Sequence, residues 1–116
     1  MKKFIFIFFA SIISITSTYA FNASFMKYSP GFYFTDSDWK ISQQTMKETL
    51  DKTPDNSKVS WKNPATGAGG YFIPSNTSNQ NGNRCRTLQI FSEVNQVTGK
   101  SSYRFCYINN EWRIVE

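Results

Sequence analysis

Cys85 and Cys106 stand ten residues to either side of the dipeptide Asn95-Gln96. Taken as a two-residue hairpin loop, that dipeptide makes directly opposed residues sum to 191, so Cys85 faces Cys106, Leu88 faces Tyr103 and Arg86 faces Phe105. Counting outward from the loop places the cysteines at a non-hydrogen-bonded pair, where a Cα separation of about 4.5 Å lies within disulfide range. Two further turn signals extend the pattern. Asn109-Asn110 sets a sum of 219, with Tyr107 opposite Trp112 and Phe105 opposite Ile114. Asn81-Gly82, read as a type I′ turn, sets a sum of 163, with Ile73 opposite Ile90, Ser75 opposite Leu88 and Phe72 opposite Phe91. Val59 and Trp61, ahead of the turn Asn63-Pro64-Ala65-Thr66-Gly67, join the same apolar side when the first strand pairs accordingly. The result is a five-stranded antiparallel meander whose core face carries Val59, Trp61, Ile73, Leu88, Ile90, Tyr103, Phe105, Tyr107, Trp112 and Ile114, with the disulfide on the other face.

Upstream of the meander the apolar period lengthens. Trp39, Gln43, Met46 and Leu50 recur at helical spacing behind Thr35-Asp36-Ser37-Asp38, which supplies an N-cap and first-turn acids. Thr53-Pro54-Asp55-Asn56 ends the run, because proline cannot continue the hydrogen-bond ladder and disfavours helix in the residue before it. One helix over about 38–51 is expected to cover the sheet through Trp39, Met46 and Leu50. The fold class is therefore α+β.

The first 20 residues read as a secretory signal peptide. Met1-Lys2-Lys3 is the positive start, Phe4 to Ile15 the apolar stretch, and Thr18 and Ala20 occupy the positions a signal peptidase reads. That apolar stretch is shorter than the roughly 20 residues of a spanning helix, and no transmembrane helix is expected elsewhere. The expected organisation is 1–20 signal peptide, 21–35 an aromatic-rich segment and 36–116 the α+β domain. The product is an exported protein of the periplasm, the outer membrane or the cell surface. A mature chain of 96 residues, from 116 less the signal, sits near the size where one core is marginal. In an oxidising compartment a Cys85–Cys106 bridge adds roughly 3 kcal/mol on the chain-entropy view.

Chemistry is bounded mostly by what the composition lacks. The chain contains no histidine, which removes the commonest general base and metal ligand and any Ser-His-Asp triad. Ser37-Asp38-Trp39-Lys40 matches the S-x-x-K pattern of penicillin-binding enzymes, but the companion motifs are missing, and Ser37 reads as part of the helix cap. Asp36 and Asp38 are a remote carboxylate pair for a small hydrolase. Gly67-Ala68-Gly69-Gly70 is followed by a strand and by no Lys-Ser/Thr, so it is a loop and not a phosphate cradle. No cofactor and no metal are expected. The net charge of +5 falls to +3 without Lys2 and Lys3, too mild for a nucleic-acid binder. The candidate binding residues are Phe72 and Phe91 with Lys100, Arg104 and Arg113, on the sheet face away from the helix. The plainer expectation for that face is a solvated surface whose phenylalanines lie under the segment from Phe21 to Phe34.

The order Trp61-Lys62-Asn63-Pro64-Ala65-Thr66-Gly67-Ala68-Gly69-Gly70, then Asn81-Gly82, Cys85-Arg86, Cys106 and Trp112-Arg113-Ile114-Val115 resembles the C-terminal domain of the rickettsial-type outer-membrane surface antigens. The resemblance runs from about Trp39 to Glu116. These antigens are typically lipoproteins with a glycine zipper, whereas the first cysteine here is Cys85 and no glycine repeat precedes the helix; lipid anchoring does not carry over. The resemblance implies an envelope or surface protein without enzymatic activity; binding to an envelope component or a partner protein is expected from the Phe72 and Phe91 pair beside Arg104 and Arg113. In that reading Trp61 fills the core, Pro64 and Gly67 shape a turn, and Gly69 and Gly70 permit unusual backbone angles. The alternative function is a periplasmic inhibitor or immunity-type protein that blocks a secreted enzyme.

Overall fold

A computed structural model describes residues 30–115. The signal-peptide reading of 1–20 and most of the aromatic-rich segment lie outside these described residues. A short 3-10 turn, Pro30–Tyr33, leads into helix α1, Asp36–Lys52. Five strands follow, β1 Val59–Lys62, β2 Gly69–Gln80, β3 Asn83–Val94, β4 Val97–Ile108 and β5 Glu111–Ile114. They form one antiparallel sheet in chain order, and the expected α+β architecture of a helix on a five-stranded meander is what the chain adopts.

All three strand-to-strand dipeptide turns take left-handed backbone at both positions. Asn81-Gly82, Asn95-Gln96 and Asn109-Asn110 have φ between 52° and 81°. Such turns match the right-handed twist of the strands they join, and asparagine tolerates the conformation better than other residues with a side chain. They fix the registers read from the sequence for β3–β4 and β4–β5: Cys85 opposes Cys106, Leu88 opposes Tyr103, Tyr107 opposes Trp112 and Phe105 opposes Ile114. The cysteines are joined, with a Cα separation of 4.0 Å.

The β2–β3 pairing departs from expectation halfway along. From the Asn81-Gly82 turn the opposed numbers sum to 163 through Ser78–Cys85, but from Ser75–Thr87 onward they sum to 162. Asn76 and Thr77 together oppose Arg86, a β-bulge with Asn76 at φ 50°. A one-residue slip turns every later side chain over. Phe72 therefore faces Ile90 in the core, 1% exposed, and is not part of the outer face, while Ile73, expected inside, pairs with Gln89 outside. The aromatic partner of Phe91 on the outer face is Tyr71.

The core comprises Phe34, Leu50, Trp61, Ala68, Phe72, Leu88, Ile90, Val94 and Phe105, with Trp39, Ile41, Met46, Tyr103, Trp112 and Ile114 half-buried around it. Gln43 is exposed, and the helix instead turns Asp38, Ser42, Thr49 and Leu50 inward. Phe34, from the segment expected to shield the outer face, sits edge-on against both Trp39 and Trp61 on the core side. Gly69 and Gly70 have no left-handed torsion; their smallness is used for proximity. A Cβ on Gly70 would collide with the Phe91 carbonyl oxygen and stand 3.0 Å from the Trp61 indole nitrogen.

Gln96 holds φ 67° without the local hydrogen bonding that suits asparagine to this region. Relieving that torsion by Gln96→Gly is expected to stabilise the fold by about 1 kcal/mol, the cost of a left-handed residue with a side chain less the added freedom of glycine in the unfolded chain. Urea unfolding of the oxidised protein checks it, with a rise in midpoint at unchanged slope.

Candidate functional site

Two buried charges at the ends of α1 set the geometry of both sheet faces. Thr35 caps the helix: its hydroxyl accepts from the Asp38 amide at 3.2 Å, and its own amide donates to Asp38 Oδ2 at 2.9 Å, a capping box. Asp38 is 0% exposed, and its other oxygen accepts from Asn63 Nδ2 and Thr66 Oγ1, each at 2.7 Å. The Asn-Pro-Ala-Thr-Gly turn is thereby fastened to the start of the helix. Asn63 also donates to Ser37 Oγ at 2.9 Å and closes its own turn by accepting from the Gly67 amide at 2.8 Å. Burial pushes the Asp38 carboxyl upward, but the hydrogen bonds from the Thr35 amide, Thr66 and Asn63 outweigh it and leave the group below its ordinary value.

At the other end Arg86, 2% exposed, rises from β3 beneath the last turn of α1. Its guanidinium donates to the carbonyls of Thr49, Leu50 and Thr53, to Asp55 Oδ1 at 2.9 Å and, through Nε, to Thr77 Oγ1 at 2.7 Å. A cation here satisfies the Leu50 carbonyl, which Pro54 cannot bond, adds a second donor to Thr49, whose carbonyl already accepts the Thr53 amide, and complements the negative end of the dipole. Asp55 completes the unit by accepting from both the amide and the hydroxyl of bulge residue Thr77. Those bonds and the Arg86 contact lower the Asp55 carboxyl to about 2. Asp51 reaches β5, accepting from Trp112 Nε1 at 2.8 Å while paired with Lys47.

The outer face of the sheet carries the disulfide and the predicted binding residues, now reordered. Tyr71 and Phe91 stack with ring centroids 5.0 Å apart and planes 20° from parallel. The Lys58 ammonium lies 4.3 Å from the Tyr71 ring centroid. Lys100 is directly opposite Phe91 on β4. Arg104 is held in place: it donates to the Asn76 carbonyl at 2.7 Å, to Thr87 Oγ1 at 2.9 Å and to Ser78 Oγ at 2.8 Å, so it grips the bulge from the face opposite Arg86. Arg113 is exposed and paired with Glu111 at 2.8 Å. Phe72 is absent from this group for the reason of register given above. A shallow cleft of about 230 Å³ adjoins the aromatic pair, lined by Gly67, Gly69 and Gly70 and by Lys62 and Glu93. The geometry thus adds Tyr71, Lys58 and Lys62 to the residues named from sequence. A correct β2 register alone would have found Tyr71.

Among the described residues, no group of three or more His, Cys, Asp or Glu side chains is placed to hold a metal ion. No helix there is long and apolar enough to cross a membrane.

Over 52 residues the chain is 36% identical to the 17 kDa surface antigen of Rickettsia australis, a stretch covering 44% of this chain and 34% of that protein. The chain therefore spans about a third of the length of the relative it matches, which marks a distant relationship. No family model and no solved structure matches it.

Arg86→Met removes the donor set at the helix end and leaves Asp55 without its cation. The expected cost is about 3 kcal/mol, because buried helix-end carbonyls left without a donor cost roughly 1–3 kcal/mol each while the exposed Asp55 can be solvated, with Arg86→Lys recovering part of it; denaturant unfolding gives both values. Asp55 and Asp38 are both lowered in the folded state, so their contribution is present above the unfolded value of 3.8 and is lost as pH falls below it, for Asp55 toward about 2. Thermal unfolding between pH 5 and 2 should show this acid loss, and Asp55→Asn should flatten it.

Proposed function

We propose that this chain is an exported envelope or surface domain that acts by binding, through the disulfide face of its sheet, and not by catalysis. The observation that carries the reading is the difference between the two faces. Along β3 the residues Arg86, Leu88, Ile90, Ser92 and Val94 are all buried beneath the helix and the 3-10 turn, whereas Thr87, Gln89, Phe91 and Glu93 are half-buried or exposed with no described element over them. An open sheet face with a stacked aromatic pair and basic side chains is suited to recognition.

Export is supported by the signal-like residues 1–20, by the oxidised cysteine pair and by the distant likeness to a rickettsial surface antigen. The non-enzymatic reading is supported by how the carboxylates are used. Asp38, one of the pair considered for hydrolysis, is sealed in the helix cap, while Asp51 and Asp55 serve Lys47, Trp112, Thr77 and Arg86. Ser37, the serine of the S-x-x-K match, accepts from Asn63 as a cap residue.

A photo-crosslinking residue in place of Ser102, on the outer face, is expected to yield adducts in intact source cells. The same residue in place of Lys40, on the exposed side of the helix, is expected to yield none. Equal yields from the two positions, or none from either, would remove the outer face as the binding surface.

A further inference from the structure

Resting on the assignment of the outer face as the binding surface, we infer that its ligand is an acidic saccharide chain, carboxylated or phosphorylated, laid across the sheet. Charge is the first ground. Residues 30–115 carry ten Lys and Arg against seven Asp and Glu. On the outer face stand Lys58, Lys62, Lys100, Arg104 and Arg113, with Glu93 and Glu111 as the acids. The remaining five basic and five acidic residues, on the helix, its following loop and the start of β3, cancel. The whole excess of three positive charges therefore belongs to one face. Glu111 is already paired with Arg113, and no ion pair within 4.0 Å is made by Lys58, Lys62 or Lys100 among the described residues.

Shape and polarity choose among anionic partners. The cleft beside Tyr71 and Phe91 holds about 230 Å³, below the ~300–1,000 Å³ of sites that enclose drug-sized ligands. A polymer that places one ring there and runs on over the strands fits this better than an enclosed small molecule. Glu93 and Lys62 flank the cleft as acceptor and donor for hydroxyl and acidic groups, and Gln89 and Ser102 continue a polar surface from the aromatic pair. A lipid bilayer calls for protruding apolar side chains. Here Tyr71, Ile73 and Phe91 are half-buried; of the five large exposed apolar residues, Phe32, Tyr33, Val97 and Tyr107 belong to the 3-10 turn or to the core-side register of β4, and Val115, just past β5, is a single side chain and not a patch.

The test is affinity electrophoresis of the oxidised mature chain, residues 21–116, in gels containing polygalacturonate, with dextran as the neutral control and phosphatidylglycerol/phosphatidylcholine vesicles assayed by sedimentation. Wild type should be retarded by polygalacturonate and not by dextran. K62E/K100E should bind about tenfold more weakly or worse, with binding that fades as salt rises. K40E/K52E, the same change in net charge on the helix, should stay within about twofold of wild type. Circular dichroism confirms that each variant is folded.

Equal loss in the two variants, absence of retardation by polygalacturonate, or binding to vesicles alone would each overturn the inference. If the sheet-face crosslink in cells persists while polygalacturonate fails, the ligand class falls and the binding face stands. If both fail, both fall.

Discussion

The position of Arg86 is the constraint on which the rest of the molecule depends. A guanidinium that is 2% exposed must have its donors occupied, because an unpaired buried charge costs several kcal/mol. The carbonyls of Thr49, Leu50 and Thr53 at the end of α1, together with Asp55 and Thr77, provide for it. One side chain thus ties the end of the helix, which Pro54 terminates, to β3 and to the loop that follows. Asp38 is its counterpart at the other end, with the opposite charge at the opposite pole of the dipole. The two charges act at sites about a helix length apart, so they set the helix's direction over the sheet as well as its contact.

The bulge at Asn76 and Thr77 follows from the same arrangement. A bulge leaves backbone groups without ladder partners, and each such group needs another. The Thr77 amide donates to Asp55, and the Asn76 carbonyl accepts from Arg104. Arg86 and Arg104 come from opposite faces of the sheet and meet the bulge between them. The slip it creates brings Phe72 inward and sets Tyr71 beside Phe91, so the core and the outer aromatic pair have one structural cause. Arg104 is accordingly a poor candidate for a ligand contact, since all its observed bonds hold the sheet.

What could be read in the sequence was whatever local chemistry decides. Asn95-Gln96 and Asn109-Asn110 fixed two registers and the disulfide because a two-residue turn leaves a hairpin no freedom of pairing. Thr35 and Asp38 announced a helix start for the same reason. Phe72 was misplaced because a bulge is held by Asp55 and Arg104, residues far from it in the chain, and alternation by itself assumes an unbroken ladder. Two local signs were present. Ser75-Asn76-Thr77-Ser78 is an unusual composition for a strand interior, where asparagine is depleted. Arg86, paired with Phe105 on the core face, was a buried cation in need of partners. The Asn63 and Thr66 contacts with Asp38 were beyond reach, since nothing in a turn motif names the helix that it joins.

The one-sidedness of the molecule follows from these internal demands. Holding a helix by its ends uses charges of both signs on one side of the sheet: Asp38 and Arg86 at the poles, Asp55 between Arg86 and the bulge, Asp51 between Lys47 and Trp112. Because the helix-side charges among residues 30–115, five of each sign, balance, the net charge of these residues is displaced onto the face that no described element covers. That face is held in register by the disulfide and by Arg104. Lys62 and Lys100 on that face make no ion pair within 4.0 Å among the described residues, so changing them should cost the fold little, which is the condition under which a surface is free to serve a ligand.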